Sequence, residues 1–155
     1  MMRFFRFLSH GLFFLAGFGL GIYVLPILTA ADPPSAIEMK VLETGEKLTA
    51  TFRRDLKGSD YFHWGEGEVT VTPTHVGFKG KLAPGPDYKL YLVPDFVEDE
   101  ASFLAIKDKA ARIGNIAGFS GFLLPVPAGV DVMQYTTVVV WCETFKQFIS
   151  AAKYR

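Results

Sequence analysis

The pattern of apolar and polar positions divides the chain into two parts. Gly11 to Thr29 is a run of 19 residues without a charged side chain, and Arg3 and Arg6 precede it. Such a run is long enough to cross the roughly 30 Å hydrocarbon core of a bilayer as a helix. From about residue 37 onward, apolar and polar residues alternate over short segments separated by Gly and Pro. That pattern is typical of β-strands and turns.

The leader, residues 1–31, has two interpretations. An uncleaved membrane anchor is favoured because the apolar run exceeds the roughly 7 to 15 residues of a usual signal-peptide core. A cleaved secretory signal is the alternative, since Thr29-Ala30-Ala31 offers small residues at a cleavage site. In both cases Arg3 and Arg6 favour a cytoplasmic amino terminus. We therefore expect a domain that is anchored and faces the periplasm or cell exterior, or that is secreted if the leader is removed.

The remainder predicts an all-β domain. Residues 32–46 are expected to be a linker and lead-in strand, and residues 47–155 the folded domain. Strands are predicted at Lys47–Arg53, Glu68–Thr72, His75–Phe78, Tyr88–Val93, Ile113–Ala117, Gly121–Val126, Tyr135–Cys142 and Phe148–Tyr154. One helix is predicted over Ala101–Arg112, with acids before it and Gly114 after it. Seven or eight short strands with few helices predict an antiparallel β-sandwich behind one N-terminal transmembrane or signal helix.

Composition excludes several function classes. The whole chain has 16 basic and 16 acidic side chains, and without Arg3 and Arg6 the domain carries 14 basic against 16 acidic. Because nonspecific affinity for a polyanion comes from clustered Lys and Arg, we expect no nucleic-acid partner. The sequence contains no phosphate-binding loop, dinucleotide fingerprint, nucleophile elbow or zinc pattern. Enzyme activity is left undecided, and no metal site is predicted.

Cys142 is the single cysteine and the first candidate functional residue. Alternation along Tyr135–Cys142 places its side chain with Val138 and Val140, on the face opposite Trp141. One interpretation is inert packing, since free cysteines are among the most buried residues. The other is a thiolate that cycles between redox states or binds haem iron as an axial ligand. With no resolving cysteine in the chain, a ligand role or a partner's thiol is chemically simpler than dithiol exchange.

His63 and His75 are the two histidines outside the leader. Either is a candidate second axial ligand, and His75, beside a predicted hairpin turn, is the weaker of the two. The sequence separations among His63, His75 and Cys142 match no metal-binding motif. The sequence leaves open whether His63 approaches Cys142, because two strands of a sandwich can lie in opposite sheets.

Several segments in fixed order resemble the DM-thirteen domain, the electron-transfer domain often found beside DOMON domains. They are Asp60-x-x-His63-x-x-x-Gly67-x-Val69, then Pro84-Gly85-Pro86-Asp87-Tyr88-x-Leu90-Tyr91-Leu92, then Ile113-Gly114-x-Ile116, and last Tyr135-x-x-Val138-Val139-Val140-Trp141-Cys142-x-x-Phe145 with Phe148 and Ala151-Ala152. Each segment alone is weak evidence for the family. The Gly-Pro-Asp segment followed at a distance by Val-Trp-Cys-x-x-Phe is a fairly specific combination. The set covers roughly residues 47 to 155.

The resemblance implies an extracytoplasmic β-sandwich that takes part in electron transfer, with Cys142 as the family's cysteine and His63 as its histidine. The cysteine would act as a redox thiol or as the ligand of a prosthetic group, with haem as the candidate cofactor. The expected partners are the membrane, through the N-terminal helix, and an unidentified redox protein. The alternative is a non-catalytic binding or structural β-sandwich in which Cys142 is buried packing.

Overall fold

The computed structural model describes residues 2–155, and in this part of the chain eight strands form two four-stranded antiparallel sheets. The strands are β1 (Leu48–Phe52), β2 (Gly65–Val71), β3 (His75–Leu82), β4 (Tyr88–Val93), β5 (Ala111–Ile116), β6 (Phe122–Pro125), β7 (Thr137–Cys142) and β8 (Gln147–Lys153). The helices are α1 (Met2–Leu28), α2 (Ala36–Met39) and α3 (Glu100–Leu104). The front sheet has the order β1-β2-β3-β6 and the back sheet the order β5-β4-β7-β8. The predicted antiparallel β-sandwich is confirmed.

The main core lies between the two sheets. Alternate residues of the front sheet, such as Val69 and Phe78, meet alternate residues of the back sheet, such as Leu90 and Val140. All four side chains are almost completely buried. At the sides of the sandwich β1 lies beside β8 and β5 beside β6, so both sheets are close to each other along their edges.

A second apolar cluster covers the outer face of the back sheet. Trp141 and Val139 of β7 point into it, opposite to the inward-facing Val138 and Val140. Phe103 of α3 packs on Trp141, with 4.8 Å between ring centroids. The back sheet is therefore buried on both faces, which explains why the sequence of β7 is a continuous apolar run.

The helix predicted over Ala101–Arg112 is wrong in its extent. The side chain of Asp99 caps α3 by accepting a hydrogen bond from the backbone N–H of Ser102, and α3 ends at Leu104. A single 3-10 turn follows at Lys107–Lys109. From Ala111 onward the chain pairs with β4. The backbone N–H and C=O groups of these residues therefore form hydrogen bonds within the back sheet instead of extending the helix.

The segment 32–46 contains no strand in the structure, contrary to the expected lead-in strand. Ser35 caps α2 through a capping box with Glu38, and a 3-10 turn follows at Lys40–Glu43. Leu42 of that turn is buried directly against Gly77 on the outer face of the front sheet. This linker is consequently packed on the domain instead of being a free spacer.

Helix α1 is long and apolar enough to cross a membrane, with a mean hydropathy of 2.1 in its most apolar window. A signal sequence at the N-terminus has the same properties. None of its residues is buried against the domain. A helix that is apolar on all sides and unburied needs lipid around it.

Two glycines face each other across the β2–β3 ladder. Gly67 pairs with Gly80 across the ladder, and Gly67 has a φ of 139°, a conformation that other residues rarely adopt. A Cβ added to Gly80 would overlap the carbonyl oxygen of Glu66 and lie 2.7 Å from the Cα of Gly67. The ring of Phe78 covers both glycines, so this pair allows an aromatic side chain to lie flat on the strands.

We expect the Gly80→Ala variant to lose about 1–3 kcal/mol in the free energy of unfolding, because the added methyl group meets fixed backbone. Gly114→Ala is the matched control, since the nearest atom to its added Cβ is a Leu124 side-chain carbon at 3.5 Å. Urea unfolding followed by near-ultraviolet circular dichroism measures both. Equal midpoints for the two variants would contradict the close approach of β2 and β3.

Candidate functional site

Cys142 ends β7 at one end of the back sheet. It lies opposite Tyr88 of β4 and Gln147 of β8, and its side chain is 2% exposed. It belongs to the core between the sheets, together with Val140 and Ile149. The face assigned from the alternation pattern is confirmed, and the sulfur lies where the packed core ends.

A cavity of about 430 Å³ begins beside this sulfur, and both Cys142 and His63 line it. The other lining residues are Gly19, Ile22, Tyr23, Phe62, Pro84, Gly85, Pro86, Tyr88, Phe145, Gln147 and Ile149. The walls are mainly aromatic and aliphatic. The two residues predicted from the sequence therefore meet at one apolar cavity, although five strands, β2 to β6, lie between His63 and β7 in the chain.

A tight turn in the β1–β2 loop holds His63. One carboxylate oxygen of Asp60 accepts the backbone N–H groups of Phe62 and His63 at 2.7 and 2.8 Å. The other oxygen lies 2.8 Å from Nδ1 of His63. Burial raises the pKa of Asp60, but hydrogen bonds from His63 and Phe62 outweigh it, so the pKa is lowered. Because an ionised carboxylate only accepts, Nδ1 donates this hydrogen bond, and in the neutral imidazole Nε2 is then the nitrogen with the lone pair.

Hydrogen bonds connect the β3–β4 loop to the β7–β8 turn next to the sulfur of Cys142. Asp87 accepts a hydrogen bond from the hydroxyl of Thr144 at 2.9 Å, and its carbonyl accepts the N–H of Glu143 at 3.1 Å. Its carboxylate also pairs with Lys89, which is the main reason that the pKa of Asp87 is lowered. Asp87 thus fixes the Pro84-Gly85-Pro86 wall of the cavity relative to Cys142.

Burial raises the pKa of the Cys142 thiol above its ordinary value. Backbone N–H groups of Phe145, Asp87 and Thr144 lie close enough to favour the thiolate, but they do not overcome the burial. The pKa of the neighbouring Tyr88 is raised as well, first by burial and then by the charge that Cys142 acquires on ionisation. Without a bound cation, the sulfur is a neutral thiol near pH 7.

On the opposite side of β7, Glu143 closes a charged cluster. Its carboxylate accepts hydrogen bonds from the hydroxyl of Tyr91 and, at 2.7 Å, from Nζ of Lys107. Burial raises the pKa of Glu143, but these two partners outweigh it and the pKa is lowered. Nζ of Lys107 also lies 5.3 Å from the ring centroid of Trp141. Lys107 thus neutralises the carboxylate of Glu143 next to Cys142, and the cluster fixes the start of the β7–β8 turn.

Sequence reasoning missed most of the cavity wall. Tyr88, Phe62 and Phe145 line the cavity, and the signals available were their positions next to His63 and Cys142 and within the Gly-Pro-Asp segment. His75, the weaker candidate, is placed elsewhere. It starts β3 with Nδ1 3.0 Å from the hydroxyl of Thr74, and it is not among the residues that line this cavity.

We expect alkylation of Cys142 by iodoacetamide to be slow at pH 7 and to accelerate through pH values above the usual cysteine pKa of about 8.5. The raised pKa leaves less thiolate at any given pH, so the rate profile shifts to higher pH than that of the unfolded chain. Labelling of the intact chain is stopped at successive times and measured by mass spectrometry, which gives the alkylation rate at each pH. The Cys142→Ser variant is the control and should not be labelled. A rate that levels off below pH 8 would show a thiolate already formed at neutral pH.

One comparison with known proteins identifies the family of this domain. The family model described as electron transfer DM13 matches residues 52–154, a range that includes His63, Asp87 and Cys142. Neither a curated protein nor a solved structure matches the chain. Since the matched range covers about two thirds of the sequence and the whole sandwich from the end of β1 onward, this chain belongs to the electron transfer DM13 family.

Proposed function

We propose that this protein is a membrane-anchored electron-transfer domain in which Cys142 and His63 hold a redox prosthetic group. The observation that carries the proposal is that these two residues, one from a loop of the front sheet and one from a strand of the back sheet, line one apolar cavity. The family description supports the electron-transfer role. Helix α1 would anchor the domain, which would face the periplasm or cell exterior.

The burial of Cys142 favours a ligand role over thiol exchange. Exchange requires a thiolate that attacks a disulfide on another protein, and it therefore needs ionisation and access at neutral pH. A side chain that is 2% exposed with a raised pKa provides neither. A metal ion bound inside the cavity would deprotonate the thiol and would need no protein surface to reach the sulfur.

Haem is the group that this donor set fits best. A cysteine thiolate and a histidine nitrogen are both axial ligands of haem iron, and the walls of the cavity are mainly apolar. Its volume lies within the roughly 300–1,000 Å³ typical of cofactor and ligand pockets. When bound, haem would supply a one-electron ferric–ferrous couple, and the donor and acceptor would be separate redox proteins.

The remaining residues of the site would position these ligands. Asp60 fixes the ring of His63 with Nε2 as the free nitrogen, which is the common arrangement around ligating histidines. The N–H groups of Thr144 and Phe145 would lower the electron density on the Cys142 sulfur. Phe62 and Phe145 would exclude water from the cavity.

The second candidate is a binding or structural module in which Cys142 is packing. The specific observation in its favour is that Cys142 sits among Val138, Val140 and Ile149 in the core between the sheets. In this case the cavity would hold an apolar ligand without a bond to sulfur, and the Cys142→Ser variant would bind it as well as the wild type.

Titration of the full-length chain with haemin, followed by visible absorbance, tests the proposal. We expect a wild-type spectrum with a thiolate-ligand signature that is lost in Cys142→Ser and altered in His63→Gln. Asp60→Asn should weaken haem binding by roughly 10–100-fold, because it removes the partner of a ligating histidine. His75→Gln is the matched control and should bind like the wild type.

Identical spectra for the wild type and Cys142→Ser would contradict the proposal and favour the binding module. Loss of binding in His75→Gln to the same extent as in His63→Gln would mean that the assay reports general destabilisation. Circular dichroism of each variant separates the two explanations.

A further inference from the structure

An apolar rim surrounds the mouth of the Cys142 cavity. It consists of Tyr61, Phe62 and Phe145, whose side chains are 85%, 57% and 52% exposed. Phe62 and Phe145 line the cavity, and Tyr61 contacts Phe62 edge to face with ring centroids 5.0 Å apart. Exposed large apolar side chains grouped at one end of a domain are typical of a surface that contacts an apolar partner.

Helix α1 lies against this rim. Gly19, Ile22 and Tyr23 line the Cys142 cavity together with Phe62. Tyr23 also lines an adjacent cavity of about 280 Å³ that is bordered by Arg54. The chain after the helix is held close as well, since the backbone N–H of Ala31 donates to the carbonyl of Ala117 at 2.8 Å. The domain is therefore tied to the helix only a few residues after Leu28.

The length of α1 places the rim at the surface of a bilayer. Arg3 and Arg6 lie outside the hydrocarbon core, so the spanning part of α1 begins at Phe7, and from Phe7 to Pro26 it covers about 30 Å at 1.5 Å per residue, the thickness of that core. Ile22 and Tyr23 then lie about 5 Å inside the boundary between the acyl chains and the headgroup layer, and the rim lies beside them.

The polar residues next to the rim match the chemistry of that layer. The guanidinium of Arg54 stacks 3.4 Å from the ring centroid of Trp64, and both border the adjacent cavity with Tyr61. Tyrosine and tryptophan prefer the headgroup level of membranes. Nε of Arg54 donates to the carboxylate of Glu66 at 2.9 Å, so a lipid phosphate would be bound by the terminal guanidinium nitrogens.

We propose that the rim of Tyr61, Phe62 and Phe145 docks into the phospholipid headgroup layer of the membrane that α1 crosses, so that the Cys142 cavity opens toward lipid. This inference rests on the anchoring role of α1 in the proposed function. It assigns the phospholipid surface as the partner of the solvent-exposed side of these three residues.

Tryptophan fluorescence in lipid nanodiscs tests the docking without any haem. The full-length chain carries Trp64→Phe, so that buried Trp141 is a constant background, and then either Phe62→Trp or Met133→Trp. Met133 is the matched control because it is 42% exposed and precedes β7 at the end opposite Cys142. We expect phospholipids with brominated acyl chains to quench position 62 roughly threefold or more strongly than position 133.

Equal quenching at both positions overturns the proposal, and this includes the case in which the rim binds a protein that the nanodisc lacks. Phe145→Trp is the second reporter, so that a folding defect of one variant does not decide the result. The intact mass of the protein is measured before the fluorescence experiment, because a chain cleaved after Ala31 would lack the anchor and would therefore not dock.

The outcome is separable from that of haemin titration. Haem binding without quenching at position 62 removes the docking surface and keeps the electron-transfer role. Quenching without haem binding does the reverse.

Discussion

The burial of β7 on both faces is the constraint on which the rest of the structure depends. Val138 and Val140 fill the space between the sheets, while Val139 and Trp141 anchor the outer cluster under α3. A strand in this position cannot shift by one residue, because every side chain would move to the wrong face. The register therefore places Cys142 at the point where the core between the sheets ends and the cavity begins.

The alternation of residue types was sufficient to predict most of this arrangement. Seven or eight strands, the faces of β7 and the apolar N-terminal helix all follow from local patterns of two or about four residues. The prediction of a helix over Ala101–Arg112 failed because Ala111 pairs with Leu92 in the back sheet, and this is a contact between segments that are distant in sequence. Local charge patterns at helix ends contain no information about such pairing, and tertiary contacts override them.

The site was harder to predict than the fold for a related reason. Cys142 and His63 could be named from residue type and resemblance, but their common cavity depends on how the β1–β2 loop folds over the end of the back sheet. That loop is held by Asp60, and the facing loop by the contacts of Asp87 with Thr144. These are side-chain to backbone and side-chain to side-chain bonds across 3 and 57 positions, and only the shorter kind leaves a recognisable sequence pattern.

The burial of Cys142 and the proposed membrane-facing position of its cavity are linked physically. In water, a shielded thiol with a raised pKa is a poor redox partner, since charged reagents and protein disulfides do not reach it. Next to lipid the same shielding is an advantage, because an apolar cavity keeps a bound group away from water and makes charge interactions at the sulfur stronger. The exposed rings of Phe62 and Phe145 would then be covered by acyl chains instead of water, which removes their apolar surface from the solvent. A buried sulfur, an apolar rim and a nearby apolar helix therefore all agree with the proposed function, in which electrons would pass through a group held at the membrane surface.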